Sequence, residues 1–505
     1  MMSRLSPFLL ASLALGAGDL KLPLPEAPLR MVIPEVSAFD GELSGAYRQA
    51  LNGNPRGGDP VVSAWRKTQV GSKLEDQWAK LAGSLPLTWD EIRRLQPRAM
   101  GLALLQVGHL EAVLVLDTPL AILPLELPGG EQKLHGGVPY TLVVSGAADG
   151  SKDPDRRMGL AWARKGSFLF LATSERALKL VLDESLGGRG VSAPLPGFIS
   201  MELDLDALRR DRYFRREFLF PGGPETGKLR TALRRESGHL IEVREGVNEP
   251  RNPVFTFEAP GVATGWEPEG TPFWAAFRRG LLEPLPVLLD KPVPVVRPLP
   301  SATAAAPEDR YLVDFTRPRV AEGASPWEEG DLATWKALLQ RIPISSWGYW
   351  VGQDGVRRMV FPWPESQDSA FLEGCRVTAA RRAGRATVGD AQEIRVGPGL
   401  PVLALRRRGA FLWVGPSAKS LQGVPLPRPG GDLIRWAQVD LGAVRGEARR
   451  WAQVEGPARP EQVRPLSDRV LGLLGWMPAA TSIAVERRKT ATGWTEKVTF
   501  GSQGK

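Results

Sequence analysis

Two stretches of this chain repeat one pattern, and they decide how the rest of the sequence is interpreted. The first runs from Gly166 to Leu178 and reads GSFLFLATSERAL, and the second runs from Gly409 to Leu421 and reads GAFLWVGPSAKSL. Each follows basic residues and contains a Gly, a short apolar run, a Ser, and a Leu four positions after the Ser. Gly is typical of hairpin turns and Ser of helix N-caps, so the pattern predicts a hairpin followed by a capped helix. The recurring positions are Gly166, Phe168, Ser174, Gly409, Phe411 and Ser417.

Other elements recur at a near-constant spacing. Trp89 and Trp335 are 246 positions apart, while Gly166 and Gly409 are 243 apart. A fixed period of this kind indicates an internal duplication. We therefore expect an α+β protein of two tandem related domains, with antiparallel sheets and helices packed on one face. The expected boundaries are 1–18 for a signal peptide, 19–260 for the first α+β repeat domain, 261–307 for an amphipathic helix and a Pro-rich linker, and 308–501 for the second α+β repeat domain.

Hydrophobic periodicity predicts the elements inside each domain. Hairpins are expected around Gly108, Gly166, Gly355 and Gly409. Helices are expected over Ser72 to Leu81, Ala207 to Phe218 and Lys228 to Arg235. The strand expected at Tyr311 to Phe315 is matched with the one at Leu29 to Val36. Asp204-Leu205-Asp206 and Asp440-Leu441-Gly442 end two alternating strands that also correspond.

The N-terminus has the features of a signal peptide. A basic start at Arg4 precedes an apolar run from Leu5 to Leu15, which is shorter than the ~20 residues that span a bilayer. Small residues then follow at Gly16-Ala17-Gly18, where cleavage is expected. The sequence thus predicts export to a periplasmic or secreted location, and no transmembrane span is expected in the mature chain.

Composition limits the class of protein and of partner. The chain has 505 residues, 43% of them hydrophobic, with a net charge of +9 and a pI of about 9.7. Basic residues occur in pairs and triplets along the chain, which favours a solvated basic surface over a nucleic-acid stripe. The single Cys375 excludes an intrachain disulfide framework. Envelope components or an anionic polymer are the expected partners, and no cofactor is expected.

The repeated phrase, in two copies after a signal segment, resembles exported bacterial tandem-domain families that are known only as domains of unknown function. It covers the two phrases well and the rest of each half loosely. The resemblance implies architecture and export, and it implies no chemistry.

Several motifs suggest catalysis, and each has a structural interpretation beside it. Gly222 to Leu229 resembles a phosphate-binding loop, but Leu229 replaces the hydroxyl that binds magnesium and Glu225 adds a negative charge. We interpret it as a loop between helices. Ser174 and Ser417 lie outside a Gly-x-Ser-x-Gly motif, and the two halves share no His as a base. Helix capping accounts for both serines.

Two groups of residues remain as candidate sites. Glu202, Asp204 and Asp206 would lie on one face of a strand as a carboxylate cluster for acid–base catalysis, with Asp204 or Asp206 alternatively capping a helix. Trp335, Trp347, Trp350 and Trp363 could form an aromatic surface for sugar, peptide or lipid, or pack in a core. The sequence favours an exported, non-enzymatic binding, scaffolding or envelope-associated protein. The alternatives are a hydrolase that uses the carboxylates and an Arg-rich binder of anionic polymers or lipid surfaces.

Overall fold

The computed structural model describes part of the chain. The described residues are 21–42, 89–106, 111–119, 127, 129–143, 160–211, 227–247, 254–259, 261–267, 273–278, 281, 287–288, 295–298, 311–314, 320–321, 329–340, 344–364, 366, 392–394, 403–445 and 480–502. They belong to two compact units that divide between Asn248 and Glu249.

Unit 1 is built on one antiparallel sheet. Its strands are β1 Leu29–Ile33, β2 Ala99–Gln106, β3 Glu111–Asp117, β4 Glu131–His135, β5 Val138–Val143, β6 Leu160–Lys165, β7 Phe168–Ala172, β8 Ile199–Asp204, β9 Lys228–Glu236 and β10 His239–Gly246. They pair in the order β10-β9-β8-β1-β2-β3-β7-β6-β5-β4. The helices are residues 36–42, α1 Trp89–Arg94, α2 Glu175–Leu186 and α3 Leu205–Arg210.

Unit 2 repeats this arrangement. Its strands are β11 Phe255–Thr256, β12 Ala263–Glu267, β13 Val287–Leu288, β14 Val295–Pro298, β15 Tyr311–Asp314, β16 Val320–Ala321, β17 Trp347–Val351, β18 Arg357–Pro362, β19 Gln392–Ile394, β20 Leu403–Arg408, β21 Phe411–Gly415, β22 Arg428–Pro429, β23 Leu433–Asp440, β24 Ala480–Lys489 and β25 Trp494–Ser502. The main sheet follows the order β25-β24-β23-β12-β17-β18-β21-β20-β19. Helical segments are α4 Phe273–Phe277, α5 Glu329–Gln340, a 3-10 turn Lys419–Leu421 and residues 441–445. Taken in sheet order, the nine strands from β25 to β19 of unit 2 correspond one by one to the nine strands from β10 to β5 of unit 1. For example, β23 corresponds to β8, β12 to β1 and β21 to β7.

Each sheet buries both of its faces. We call the face that carries Val113 and Val115 in unit 1 the front face, and it packs against Leu178 and Leu182 of α2. The back face, which carries Leu114, packs against Ile92 of α1 and against Leu95, which directly follows α1. In unit 2 the front-face core includes Trp266, Val360 and Trp413, while α4 and α5 pack on the back face against Met359 and Phe361.

The predicted α+β class with helices on one face is wrong. The described chain is mostly antiparallel sheet, with 49% of residues in strands and 22% in helices, and helices lie on both faces of unit 1. The helix predicted from Lys228 to Arg235 is strand β9. There Leu229, Thr231 and Leu233 alternate with residues that face the other side, and a tight turn at Ser237 and Gly238, both with positive φ, returns the chain into β10.

The second copy of the repeated phrase also differs from its expectation. Ser174 is the N-cap of the twelve-residue helix α2, whereas Ser417 precedes only the 3-10 turn Lys419–Leu421, whose N-cap is Ala418. Arg358 Nε donates to the Ser420 carbonyl at 2.5 Å, and Arg406 Nη1 donates to the Leu421 carbonyl at 2.9 Å. The two guanidinium groups thus occupy the Ser420 and Leu421 carbonyls, which would accept helical hydrogen bonds if the helix continued. Residue 425, which would donate to the Leu421 carbonyl, is a proline and has no N–H. The helix predicted after Ala207 ends at Arg210, with Asp211 as its C-cap, and residues 212–218 lie outside the described residues.

The two units divide between Asn248 and Glu249, whereas the expected domains end at residue 260 and begin again at residue 308. Strand β12, inside the stretch expected to be helix and linker, lies between β23 and β17 in the main sheet of unit 2. It corresponds to β1, which lies between β8 and β2. Tyr311–Asp314, the expected counterpart of β1, pairs instead with β14 in a two-stranded sheet. The hairpins expected around residues 108, 166, 355 and 409 are confirmed as β2–β3, β6–β7, β17–β18 and β20–β21.

Candidate functional site

The carboxylate expected to do chemistry lies inside a cluster of cations. Glu202 of β8 faces Arg30 of β1 on one side and Arg230 of β9 on the other, in direct cross-strand register. The Glu202 side chain is 10% exposed and accepts hydrogen bonds from Arg30 Nη2 and from Arg230 Nε, the latter at 3.1 Å. Lys228 Nζ lies 3.4 Å from Glu202 Oε1. Three strands thus place one carboxylate among three basic side chains on the front face.

The electrostatics of this cluster keep Glu202 ionised. Burial raises the pKa of its carboxyl, but the hydrogen bonds from Arg30 and Arg230 and the charge of Lys228 outweigh burial and hold the pKa below its ordinary value. A carboxylate with a depressed pKa is a poor general acid and a weak base near neutral pH. This geometry therefore suits structural charge pairing better than proton transfer.

The other two candidate carboxylates hold the start of β9 and α3. Asp204 is the N-cap of α3, and its Oδ1 accepts from the Ala207 N–H at 2.8 Å. Asp206 Oδ2 accepts from the Gly227 N–H at 3.0 Å. The capping interpretation of Asp204 is confirmed. The structure does not bring these groups together with a His in the residues it describes.

Unit 2 has uncharged residues at the same four positions. Asp440 caps residues 441–445 as Asp204 caps α3, with the Ala443 N–H at 3.1 Å from Asp440 Oδ1, so the two strands can be aligned. Counting from these caps, the positions of Arg30, Glu202, Arg230 and Lys228 correspond to Thr264, Gln438, Ala484 and Ser482. A charged cluster in one unit thus has a neutral counterpart in the other.

The two serines of the repeated phrase are both tied into local structure. Ser174 Oγ accepts from the Ala177 N–H at 3.0 Å and donates to Glu111 Oε1 at 2.7 Å. Ser417 Oγ accepts from the Ser420 N–H at 3.1 Å. The helix-capping role is confirmed for Ser174, whereas the short 3-10 turn after Ser417 has Ala418 at its N-cap position. Phe168 and Phe411 follow the hairpin glycines Gly166 and Gly409, whose φ angles are 61° and 58°.

The four candidate tryptophans of unit 2 do not share one surface. Trp335 is fully buried and Trp363 is 3% exposed, and both belong to the back-face core that Trp347 packs against. Trp350 lies on the opposite face of β17, with the Arg358 guanidinium 4.3 Å from its ring centroid and Trp413 beside it. The ring faces that a sugar would need are therefore largely covered by protein.

The remaining motifs give no site within the described residues. Most of the Gly-rich loop from Gly222, as well as His109, Cys375 and Ser72 to Leu81, lies outside them, and Lys228 begins β9. His135 Nε2 lies 2.7 Å from Asp183 Oδ1, and His239 is the first residue of β10. Within the described ranges, no group of three or more His, Cys, Asp or Glu could hold a metal ion.

A feature that sequence reasoning missed does recur in both units. On the back face, Leu104, Leu29, Leu203 and Leu229 form a cross-strand row of partly buried side chains. The corresponding row in unit 2 is Val351, Ala263, Val439 and Ile483, also partly buried. The alternation within single strands signals apolar faces, but only the pairing of distant strands shows that they form one row.

Comparisons with models of protein families, with curated proteins and with solved structures find no match to this chain. Within the described residues, no helix is long and apolar enough to cross a membrane.

Proposed function

We propose that this chain is an exported, non-enzymatic protein that acts by binding or scaffolding, as an envelope-associated component. One observation carries the proposal: what recurs between the units is the sheet, its capping residues and its apolar back-face row, whereas the charged cluster around Glu202 has a neutral counterpart in unit 2. Glu202, Asp204 and Asp206 each hold part of the fold through a bond with a named partner. The signal-peptide pattern at residues 1–18 supports export.

The test sets catalysis against binding. Purified protein is assayed against chromogenic esters, glycosides and phosphate monoesters, in wild-type form and as Glu202→Gln. Glu242→Gln is the matched control, because Glu242 is also a partly buried sheet carboxylate paired with an arginine, Arg244, at 2.7 Å. We expect that Glu202→Gln abolishes no turnover of these substrates. Hydrolysis that is lost in Glu202→Gln but kept in folded Glu242→Gln would establish the hydrolase alternative.

Export is tested separately. N-terminal sequencing of the protein purified from its native host should give a start directly after residue 16 or 18. A native chain that begins at Met1 would remove the export part of the proposal, while leaving the binding part in place.

A second candidate function is supported by one specific observation. The Lys228 and Arg230 side chains are 49% and 48% exposed, so these cations of the Glu202 cluster face solvent. An anionic polymer could contact them, with an affinity that falls steeply with salt. Retention on a heparin column that drops in Lys228→Ser/Arg230→Ala, but not in Arg98→Ala, would favour this function. Arg98 is a matched control because it is also exposed and also paired with a carboxylate, that of Asp117.

A further inference from the structure

We infer that the outer edge of β4 in unit 1 is a docking site for an extended polypeptide segment of another protein. This inference rests on the proposed binding function and names the surface and the kind of partner. In β-strand addition, an extended segment pairs its backbone with an unpaired sheet edge, and alternate side chains give specificity.

The hairpin geometry shows which backbone groups face outward. β4 and β5 are joined by Gly136 and Gly137, whose φ angles of 54° and 82° suit a two-residue type I′ turn. In that turn His135 and Val138, which flank it, form a hydrogen-bonded pair. Since hydrogen-bonded residues alternate along an antiparallel strand, Gln132 and Leu134 direct their N–H and C=O groups away from β5.

These outward groups are free in the part of the chain that the structure describes. β4 is the last strand in the order of unit 1, and its only strand partner there is β5. Buried or protected backbone groups are normally paired, so an unpaired row at a regular strand can accept a partner strand. Two N–H and two C=O groups are available, which matches a short added strand.

Natural edge strands are blunted by short length, by charged side chains, by a proline, by a bulge, or by a covering helix or loop. β4, with the sequence EQKLH, contains no proline, and its register with β5 has no bulge. Its lysine is turned toward α2, where Lys133 Nζ lies 3.3 Å from Glu175 Oε2. His135 is held on the same side by Asp183. Lys133 and His135 are thus both paired with carboxylates of α2.

The back face of the edge sets the chemistry of the partner. Leu134 is 69% exposed, the largest exposure among the large apolar side chains that the structure describes. It lies opposite the exposed Pro139 on β5. An added strand would place every second side chain beside this pair, where an apolar residue would remove both from water. The partner is therefore an extended segment that alternates apolar and polar residues.

The experiment measures hydrogen exchange at single amides of the full chain by mass spectrometry. In the free protein, the Gln132 and Leu134 amides should exchange quickly. A synthetic peptide that alternates valine with threonine and glutamate is the probe. We expect it to slow exchange at both amides about fivefold to tenfold, because each gains a hydrogen bond. The same peptide carrying N-methyl groups on its pairing side cannot donate, and it should have no effect.

Substitutions at Leu134 complete the test. Leu134→Pro removes an outward N–H without removing a bond to β5, so binding should be lost while the hairpin stays folded. If that variant unfolds the hairpin, Leu134→Lys is used, with Leu180→Lys on α2 as control because Leu180 is also an exposed leucine, at 40%. Unchanged exchange at millimolar peptide, or equal slowing in a folded Leu134→Pro variant, would overturn the inference.

Other outcomes separate this inference from the proposed function. If the wild-type protein is a dimer and Leu134→Pro is a monomer, the edge binds a second copy of this chain. That result would overturn the inference that the partner is another protein. If the peptide fails while no hydrolysis depends on Glu202, the edge inference falls and the non-enzymatic proposal stands. If hydrolysis is found, the proposed function falls whatever the peptide does.

Discussion

A glutamate among basic side chains lies on the front face of the sheet in unit 1 and on the back face of the corresponding sheet in unit 2. In unit 1 the front face holds Glu202 among Arg30, Arg230 and Lys228. In unit 2 the back face holds Glu496, fully buried, with Arg487 Nε at 2.9 Å and Arg435 Nη1 at 3.6 Å. Position for position, the front-face cluster is neutral in unit 2. On the back face, by contrast, Glu496 corresponds to Glu242 of unit 1, which pairs with Arg244 at 2.7 Å. Only the front-face cluster is therefore particular to one unit.

The two copies of the repeated phrase also differ in structure, and different residues lie beside them on neighbouring strands. Val113 and Ala163 of unit 1 correspond to Arg358 and Arg406 of unit 2, by their register with β7 and β21. Where the small apolar residues stand, α2 continues for twelve residues. Where the arginines stand, they bind the carbonyls of the turn. A serine at corresponding positions is thus followed by different structures, in keeping with the residues on neighbouring strands.

The largest expected effect on stability comes from breaking the buried ion pair of Glu496 and Arg487 in unit 2. Glu496→Gln leaves Arg487, which is 8% exposed, without its charge partner, and should lower the free energy of unfolding by about 3–5 kcal/mol. Glu202→Gln should cost less, about 1–2 kcal/mol, because only Arg30 of its three cations is largely buried, while Lys228 and Arg230 are half exposed and regain water. Urea unfolding of the two variants measures the difference.

A combined variant checks the explanation. Introducing the four residues of unit 2 together, as Arg30→Thr/Glu202→Gln/Lys228→Ser/Arg230→Ala, should be closer to wild type than Arg30→Thr/Lys228→Ser/Arg230→Ala, which leaves the Glu202 carboxylate, 10% exposed, without these three cations. Equal losses for Glu496→Gln and Glu202→Gln, or a fourfold variant less stable than the threefold one, would contradict the comparison.

A glycine at one shared position sharpens the comparison of the two front-face cores. Gly101 and Gly348 correspond, since each pairs with the same position of β1 or β12. A Cβ at Gly348 would lie 2.6 Å from Trp266 Cε3, in a rigid and fully buried ring. A Cβ at Gly101 would lie 2.8 Å from Leu24 Cδ1, the end of a flexible side chain.

Gly348→Ala should therefore destabilise by about 2–3 kcal/mol and Gly101→Ala by less than about 1 kcal/mol. Thermal unfolding of both single variants gives the ranking. The reverse ranking would show that the Leu24 segment is held more tightly than the Trp266 ring, and that the two cores differ in another way than their packing suggests.

Local patterns predicted the hairpins and caps, because turn glycines and capping residues act within a few positions. The same patterns misassigned Lys228 to Arg235, since basic residues are as acceptable in a helix as on the exposed face of a strand. The pairing of Arg30 with Glu202 joins strands that are 172 positions apart, and no local signal specifies it. The place of β12 in the sheet also depends on distant partners, β17 and β23. Sequence reasoning found Glu202 as a candidate but could not find the cations that neutralise it.

The smallest expected effect is a dependence on pH at the start of α2, where Glu175 of unit 1 corresponds to Ala418 of unit 2. Hydrogen bonds from Lys179 and from Tyr140, whose hydroxyl lies 2.6 Å from Glu175 Oε1, lower the pKa of Glu175 from 4.5 to about 2. Since the folded-state pKa is the lower one, this contribution to stability is fully present above pH 4.5 and is lost as the pH falls toward 2. The stability difference between wild type and Glu175→Gln, measured by urea unfolding at each pH, should shrink across that window.

Lys179→Met removes the first of these hydrogen-bond partners of Glu175, so it should move the loss of stability to higher pH. A difference that stays constant from pH 5 to pH 2 would show that these bonds do not hold the charge of Glu175, and that the contact between β4 and α2 does not depend on it.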